Sequence, residues 1–289
     1  MKVAIMTDTN SGITVDEAND LGIFCMPMPV IINEENYIEG VNLSRAHFFK
    51  VMIEGAEVST SQPSPGELVE MWDSIFEKGY DEIVYIPMSS GLSSSQKNAD
   101  FFAREYEGRV AIVDNHRISV TQRQSVMDAI LLADAGKDAA GIKEILEKTA
   151  YDSVVYLAVD TLDHLRKTGR VNATAATVGN VLGIKPILRT TGGNFEVRMP
   201  VRGIKKAMSK MIEEMNEELK TRFAGVPGEE LIIGTAGSFV NQDDAMNWCN
   251  TVKEAFPDIE VYYNKLSCSI SVHTGPNAMG AGISRKIKV

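Results

Sequence analysis

Three segments rich in hydroxyl side chains could bind a small anion. They are residues 8–11 (DTNS), 59–64 (STSQPS) and 88–95 (MSSGLSSS), and each lies between a predicted strand or extended segment and the start of a predicted helix. Ligands of open parallel sheets bind at the carboxyl ends of the strands, where helix N-termini present free N–H groups and positive dipole ends. Together these segments would bind the anion through hydrogen bonds rather than through a full opposite charge.

Helix capping explains part of the same pattern. Ser64 followed by Glu67, and Ser93 followed by Gln96, both fit the capping box, in which a hydroxyl group and a side chain three residues later satisfy free backbone N–H groups. Pro65 suits the first position of a helix. Because loops are rich in serine and threonine in any case, each segment taken alone is better explained by capping than by binding.

A serine nucleophile is an alternative interpretation of the third segment. Residues 91–95 (GLSSS) nearly match G-x-S-x-G, the strained turn that exposes a catalytic serine, but Ser95 replaces the last glycine. The sequence places His273 in a turn after a strand, at residues 272–276 (VHTGP), where it could act as a base for Ser93 or could be a structural histidine. A serine hydrolase that uses Ser93 and His273 is therefore kept as the alternative.

Other common chemistries lack the residues that they need. The four histidines are scattered and no C-x-x-C pattern occurs, so we predict no metal site. Neither a Walker A pattern nor G-x-G-x-x-G between a strand and a helix is present, so no nucleotide cofactor is expected. Arg170 and Arg202 follow or end predicted elements and could face an anion or a partner protein, although Arg170 could instead balance the negative end of its own helix.

The composition favours a cytoplasmic protein of two domains. The chain has 289 residues, 44% of them apolar, and is therefore too long for a single ordinary hydrophobic core. A net charge of −10 disfavours nucleic acids and anionic membrane surfaces as partners. The three widely spaced cysteines fit buried, reduced thiols of the cytosol. The apolar stretch at residues 1–6 is too short for a signal peptide, and the run at residues 22–32 is too short to span a bilayer.

The elements that must position the candidate residues alternate in the first half of the chain. Strands or extended segments are predicted at residues 2–6, 24–32, 82–87 and 110–114. Helices are predicted at residues 14–21, 44–54, 94–106, 118–135 and 138–150, and a further helix is predicted to begin at residue 64. In the second half, strands are predicted at residues 153–159, 184–190, 195–201, 230–235 and 259–266 and in the tail, and helices at residues 161–168, 173–182, 204–223 and 243–256. The alternation predicts an α/β fold with a parallel sheet, and we place a domain boundary near residue 152.

Seven short segments, in this order and at this spacing, make the chain resemble the DegV family of bacterial fatty-acid-binding proteins over nearly its full length. They are residues 7–11 (TDTNS), 60–64 (TSQPS), 89–93 (SSGLS), 113–114 (VD), 161–171 (TLDHLRKTGRV), 184–187 (IKPI) and 273–276 (HTGP). The chain departs from the family pattern at four places. Asn10 stands where a small hydroxyl residue is common, Asn115 where serine is usual, Thr168 where a second glycine is usual, and residues 94–95 (SS) where Gly-Thr is more typical.

The resemblance implies a two-domain α/β fold with a parallel, Rossmann-like sheet in residues 1–152 and a second α/β domain with a mixed sheet in residues 153–289. A long-chain, palmitate-like fatty acid would lie between the domains as the only ligand, without a cofactor. Its carboxylate would be held by the hydroxyl groups of Thr60 and Ser93, with Ser61 assisting and His273 at the same end of the site.

The resemblance also implies a non-catalytic carrier. In the family the bound acid is presented to a separate fatty acid kinase, which forms an acyl phosphate. Arg170 and Arg202 match positions at the carboxyl end of the site or on the surface that faces the kinase. A phosphotransfer component related to dihydroxyacetone kinases is a further alternative, and it would need a histidine placed for covalent attachment of the substrate.

Overall fold

Strands and helices alternate through the first half of the molecule. The computed structural model describes residues 1–172 and 183–288, so the predicted helix at residues 173–182 lies outside the described residues. The strands are β1 (Val3–Asp8), β2 (Phe24–Met26), β3 (Pro29–Ile32), β4 (Glu35–Ile38), β5 (Val58–Thr60), β6 (Glu82–Ile86) and β7 (Val110–Ile112). The helices are α1 (Val15–Asp20), α2 (Arg45–Ile53), α3 (Pro65–Glu77), α4 (Ser95–Ala103), α5 (Val120–Asp134) and α6 (Ala139–Lys148).

The second half contributes a larger sheet and its helices. Its strands are β8 (Ser153–Ala158), β9 (Ile184–Thr190), β10 (Glu196–Arg202), β11 (Leu231–Gly237), β12 (Glu260–Lys265) and β13 (Met279–Arg285). Its helices are α7 (Asp163–Thr168), α8 (Ile204–Lys220), α9 (Gln242–Ala255) and α10 (Cys268–Thr274). Within residues 1–172 and 183–288, no helix combines the length and the apolar character needed to cross a bilayer.

Two main sheets of different type confirm the predicted fold class. The first has the order β2-β1-β6-β7, and all of its strands run parallel. The second has the order β10-β9-β8-β13-β11-β12, in which only β11 and β12 pair in parallel. The parallel sheet draws on residues before position 152 and the mixed sheet on residues after it, while the division into two domains there stays a prediction.

A third, small sheet was not predicted from the sequence. Its order is β4-β3-β5, and all of its pairs are antiparallel. Strand β5 has only three residues, which is too few for an alternating pattern to be recognised. The sheet is nevertheless important for the site, because it fixes Thr60 at the end of β5, opposite Val30 of β3.

Helix α5 lies between the two main sheets and joins them. It contacts β1 and β6 on one side and β8, β11 and β13 on the other. The two glycines at its contact with the mixed sheet leave room for it, because a methyl group on Gly234 or Gly282 would overlap the side chain of Val120. A helix packed on both sides has little solvent-facing surface, which explains why buried polar residues such as Gln122 and Asp128 lie among its apolar ones.

Helices α1 and α3 begin as the capping patterns at Thr14 and Ser64 predict. The Thr14 hydroxyl accepts a hydrogen bond from the backbone N–H of Glu17 at 3.1 Å. Ser64 and Glu67 form the complete reciprocal capping box. The prediction for Ser93 and Gln96 is wrong, because α4 begins one residue later, with Ser94 in the capping position and without a side-chain cap.

Gly91, the first residue of the near match to G-x-S-x-G, has a packing role. A methyl group built on Gly91 would overlap the carbonyl oxygen of Gly192, which lies in the turn between β9 and β10. The Ser89 hydroxyl donates a hydrogen bond to the same carbonyl. Gly91 therefore allows the hairpin of the mixed sheet to lie directly against the loop that carries Ser93.

The change Gly91→Ala should lower the free energy of unfolding by about 1–3 kcal/mol, because the added methyl group forces the two backbones apart. Urea denaturation monitored by circular dichroism measures this loss. Gly66→Ala is the matched control, since no atom lies within 4 Å of the added methyl group. In the first turn of α3, alanine should leave stability unchanged or raise it by up to about 1 kcal/mol. Equal effects of the two changes would contradict the packing role of Gly91.

Candidate functional site: an interior cavity with a hydroxyl end

A cavity of about 240 Å³ lies where α5, α10 and the mixed sheet meet the hydroxyl-rich loops of the first half. Most of its lining is apolar and comes from both halves of the chain. The apolar lining residues are Met28, Met88, Leu92, Ile118, Val120, Val155, Leu157, Leu165, Phe195, Ala236, Leu266, Ile270 and Ala281. A long hydrocarbon chain could therefore be buried between the two main sheets.

Two of the three predicted hydroxyl segments meet at one end of this cavity. Thr60, Ser61 and Gln62 follow β5, and Ser93 and Ser94 precede α4; all five line the cavity. The side chain of Asn98, on α4, donates a hydrogen bond of 2.5 Å to Gln62, which ties the two segments together. The structure thus places Thr60, Ser61 and Ser93 in the lining of one cavity, and their binding of a carboxylate stays a prediction.

Ser93 stabilises the start of α4 through a hydrogen bond with Ser95, not through the predicted capping box with Gln96. Its hydroxyl oxygen accepts a hydrogen bond from the backbone N–H of Ser95 at 3.2 Å and lies 2.9 Å from the Ser95 hydroxyl. Within the part of the chain that the structure describes, Ser93 makes no hydrogen bond to His273. The serine and the histidine of the alternative hydrolase therefore line one cavity without forming a nucleophile–base pair.

His273 lies on a helix, which corrects the prediction of a turn after a strand. It occupies the last full turn of α10. Ser267 caps the start of this helix, because its hydroxyl oxygen accepts a hydrogen bond from the backbone N–H of Ile270 at 3.1 Å. The imidazole Nε2 lies 3.0 Å from the hydroxyl oxygen of Thr60. The sequence did not reveal this helix because serine, isoleucine, valine and threonine are weak helix formers. Burial of six of its seven residues stabilises it instead.

The imidazole of His273 is neutral at physiological pH. Burial is the main cause, and the positive charge of Arg170 and the nearby His164 contribute, so the pKa falls from 6.5 to about 4. Among the described residues, Nδ1 of His273 has no hydrogen-bond partner. A neutral ring can donate one hydrogen bond through Nε2–H to Thr60 while Thr60 donates its own proton to a ligand.

This pKa predicts how stability depends on pH. Because the folded pKa of about 4 lies below the ordinary value of 6.5, protonation favours the unfolded chain, and stability is lost as the pH falls from 6.5 towards 4. His273→Gln should therefore lose about 2 kcal/mol less stability than the unmodified chain between pH 7 and pH 5. Urea titrations at both pH values measure the difference, and His47→Gln, a change at an exposed position on α2, is the control.

Asp8 contributes to the same titration range with the opposite sign. Burial raises its pKa from 3.8 to about 6, although hydrogen bonds from Met88, Gln122 and Asn10 lower it. Stability linked to this carboxyl group therefore increases as the pH falls from 6 to 3.8, in the unmodified chain and in the His273 variant alike. The comparison between the two chains removes this contribution, so equal pH dependence of both would contradict a neutral His273.

Asp8 also organises one wall of the cavity. It is the last residue of β1 and accepts hydrogen bonds from the backbone N–H of Met88 and of Asn10, both at 3.0 Å. The side chain of Gln122 donates a third, at 3.1 Å. Because the carboxyl ends of β1 and β6 meet here, one buried carboxylate holds both loops and helix α5 in place.

Of the two arginines, Arg170 lies at the cavity and Arg202 does not. Arg170 follows Gly169, the left-handed residue that ends α7, and it lines the cavity. Its guanidinium donates to the carbonyl oxygen of Leu92 at 3.3 Å and to that of Thr168. It therefore balances the end of its helix, as the alternative interpretation held, and also reaches the site. Arg202 is the last residue of β10 and is exposed, away from the cavity lining.

Four further polar residues line the cavity: Asn10, Ser119, Ser269 and Thr274, and all four are buried. Asn10 belongs to the predicted segment at residues 8–11, while the other three were not predicted as site residues. The sequence carried two signals for Asn10, which lies in the hydroxyl-rich segment at residues 8–11 and departs from the family pattern. Ser119 and Ser269 gave none, because their positions depend on the packing of α5 and α10 against the loop after β1.

The fold and the cavity define a class of protein: an α/β protein with a parallel and a mixed sheet, an apolar interior cavity, and a polar end made of hydroxyl groups and a neutral imidazole. A family model described as "Uncharacterised protein, DegV family" matches residues 2–286. The chain belongs to the DegV family, which confirms the resemblance seen in the sequence.

Relatives agree over the full length of the chain. A DegV domain-containing protein of Deinococcus radiodurans is 30% identical over 284 residues, which cover 98% of each chain. A solved DegV family protein of Thermus thermophilus, described as fatty acid binding, is 26% identical with a TM-score of 0.87 and covers 99% of this chain and 100% of its own. The fatty acid binding DegV family protein of Streptococcus agalactiae is 27% identical with a TM-score of 0.86, at the same coverage.

Proposed function

We propose that this chain binds one long-chain, palmitate-like fatty acid in the interior cavity and acts as a non-catalytic cytoplasmic carrier. The observation that carries the proposal is the polarity of the cavity, which is apolar along most of its lining and hydroxyl-rich at one end. The fatty acid binding described for the relatives from Thermus thermophilus and Streptococcus agalactiae supports the same function.

The apolar lining of the cavity suits the acyl chain of a fatty acid, and its hydroxyl-rich end suits the carboxylate. Burial of the acyl chain contributes about 0.8 kcal/mol per methylene, so the tail supplies most of the affinity. A buried carboxylate is costly unless donors surround it. Thr60, Ser61 and Ser93 can supply hydroxyl donors, and Arg170 adds a positive charge nearby.

His273 orients one of these donors. In the tautomer that we assign, Nε2–H donates to the Thr60 oxygen across the 3.0 Å contact, so the Thr60 proton points to the carboxylate. A charged imidazole would compete for the carboxylate directly. In the ligand-free chain, the low pKa of His273 makes it a neutral support for Thr60.

We further propose that the carboxyl group is presented to a partner fatty acid kinase, which forms an acyl phosphate. Neutral hydroxyl donors hold a carboxylate without enclosing both of its oxygens in a bidentate ion pair. Ser93→Arg would create such a pair and should reduce acyl phosphate formation by the kinase. Unchanged formation would refute this step and leave acid binding itself untouched. The exposed Arg202 is available for contact with the kinase.

Native mass spectrometry of the chain purified from bacterial cells tests the binding function. The expected spectrum shows one acid of long chain length per polypeptide, and extraction with organic solvent should release that acid intact. Purified chain that carries no lipid and does not take up hexadecanoic acid after delipidation would refute the proposal.

The serine hydrolase remains the second candidate because Ser93 and His273 line one cavity. The geometry gives it little support, since His273 contacts Thr60 and its lowered pKa makes it a weak base at neutral pH. Turnover of a nitrophenyl ester that Ser93→Ala abolishes would favour the hydrolase. A carrier should show no such turnover with either chain.

A further inference from the structure

A second polar patch lies in the cavity wall, separate from the hydroxyl end. It consists of Asn10, in the loop after β1, Ser119, which precedes α5, and Ser269, in the first turn of α10. Asn10 is fully buried, and Ser119 and Ser269 are 7% and 5% exposed. The backbones of Asn10 and Ser119 are hydrogen-bonded to each other, and Ser269 lies two residues after Ser267, whose hydroxyl bonds the Asn10 side chain at 3.3 Å.

The backbone around the patch is held firmly. The N–H of Asn10 donates to the buried carboxylate of Asp8 at 3.0 Å, and the carbonyl oxygen of Asn10 accepts from the N–H of Ser119 at 3.0 Å. Ser119 has a φ of 55°, in the left-handed region that a serine adopts only when its surroundings impose it. Its side chain is therefore fixed at the cavity wall.

The hydrogen-bonding capacity of the patch is largely unused. The Asn10 amide nitrogen lies 3.1 Å from the Met88 sulfur, which is a weak acceptor, and its oxygen accepts only a long bond of 3.3 Å from Ser267. Among residues 1–172 and 183–288, no group forms a hydrogen bond with the side-chain hydroxyl of Ser119 or of Ser269. Buried polar groups in this state require a polar partner.

One member of the patch, Ser269, lies one helical turn from His273, which contacts Thr60 at the hydroxyl end. Ser269 and His273 are four residues apart on α10, so their side chains lie above one another on the same face, about 6 Å apart along the helix axis. With the carboxylate at Thr60, beside His273, an acyl chain that runs along α10 passes the patch in its carboxyl-proximal half.

From this geometry we infer that the preferred ligand is a hydroxylated fatty acid, with its hydroxyl group in the carboxyl-proximal half of the acyl chain. The inference rests on the proposed fatty-acid function and names the substrate class. A ligand hydroxyl can accept from the Asn10 amide N–H and donate to the Asn10 oxygen or to a serine oxygen. A plain methylene chain leaves these groups unpaired, and sites built to bond a hydroxyl discriminate strongly against the analogue without it.

The test measures dissociation constants of the delipidated chain for hexadecanoic acid and for a series of its monohydroxylated derivatives, in which the hydroxyl moves from the carboxyl end to the methyl end. The affinity should peak for a hydroxyl in the carboxyl-proximal half and exceed that for hexadecanoic acid by about tenfold or more. Asn10→Leu and Ser269→Ala should each flatten this peak.

Ser271→Ala is the matched control, because Ser271 is buried on the same helix but bonds to the Ser267 carbonyl at 2.8 Å and does not line the cavity. The peak should survive this change. Hexadecanoic acid or a cis-unsaturated acid binding more tightly than every hydroxylated acid would overturn the inference, as would equal losses for plain and hydroxylated acids in the Asn10 and Ser269 variants. Failure of every acid to bind would refute the fatty-acid function instead.

Discussion

Thr60→Val should weaken the binding of a long-chain acid by about 10- to 100-fold. Valine has nearly the shape of threonine, so the change removes the hydroxyl group and little else. Hydrogen bonds to charged groups contribute about 1.5–3 kcal/mol, and the bound carboxylate would lose one of its donors in a buried site. Titration of the delipidated chain with hexadecanoic acid measures the loss.

Ser59→Ala provides the control for this change. Ser59 precedes Thr60 on β5 and is exposed, because side chains of successive strand residues point to opposite faces. The Ser59→Ala variant should bind the acid with the same affinity as the unmodified chain. Equal affinities of the Thr60 and Ser59 variants would show that the carboxylate is not held at Thr60.

The contact between Thr60 and His273 can be tested in the same titrations. If the imidazole acts only by orienting the Thr60 hydroxyl, His273→Gln should weaken binding in the unmodified chain and have no further effect once Thr60 is valine. Such non-additivity is expected for residues that act as one unit. Additive losses would mean that His273 contacts the carboxylate itself, through an interaction independent of Thr60.

The features predicted correctly from the sequence are local ones. The capping box at Ser64 and Glu67 spans four residues, and the strands predicted at residues 184–190 and 195–201, which are only four residues apart, form the hairpin of β9 and β10. The fold class followed from the alternation of strands and helices. These signals act over a few residues and do not depend on how distant segments pack.

The features that sequence patterns could not supply depend on distant contacts. Thr60 and His273 are 213 positions apart, and Asn10 and Ser267 are 257 positions apart. Helix α10 exists because burial outweighs its weak helix propensity, and the packing that buries it involves both halves of the chain. The resemblance to the family named Thr60 and His273 as site residues, but only the structure shows that they touch each other.

Two small residues on neighbouring strands of the mixed sheet line the cavity, and a larger side chain there should reduce ligand binding. Ala236 of β11 lines the cavity and is 3% exposed. Its partner on the neighbouring strand β13 is Gly280, which has no side chain and also lines the cavity. Space for a ligand at this point therefore exists because both positions are small.

Ala236→Leu should lower the affinity for hexadecanoic acid by about 60-fold. Leucine adds three carbon atoms and displaces about three methylenes of the ligand, each of which contributes about 0.8 kcal/mol. Acids shorter by about three carbons should keep most of their affinity, so the chain-length preference shifts downward. Titration with a series of saturated acids measures this shift, and Ala46→Leu, at an exposed position of α2, is the control.

Stability distinguishes a filled cavity from a damaged fold. If the leucine side chain occupies space that the ligand would otherwise fill, it buries apolar surface, and the free energy of unfolding of the ligand-free chain should stay the same or rise. Weak binding together with lower stability would point to disrupted packing instead. Unchanged affinity for long acids in a stable variant would mean that the acyl chain does not pass Ala236.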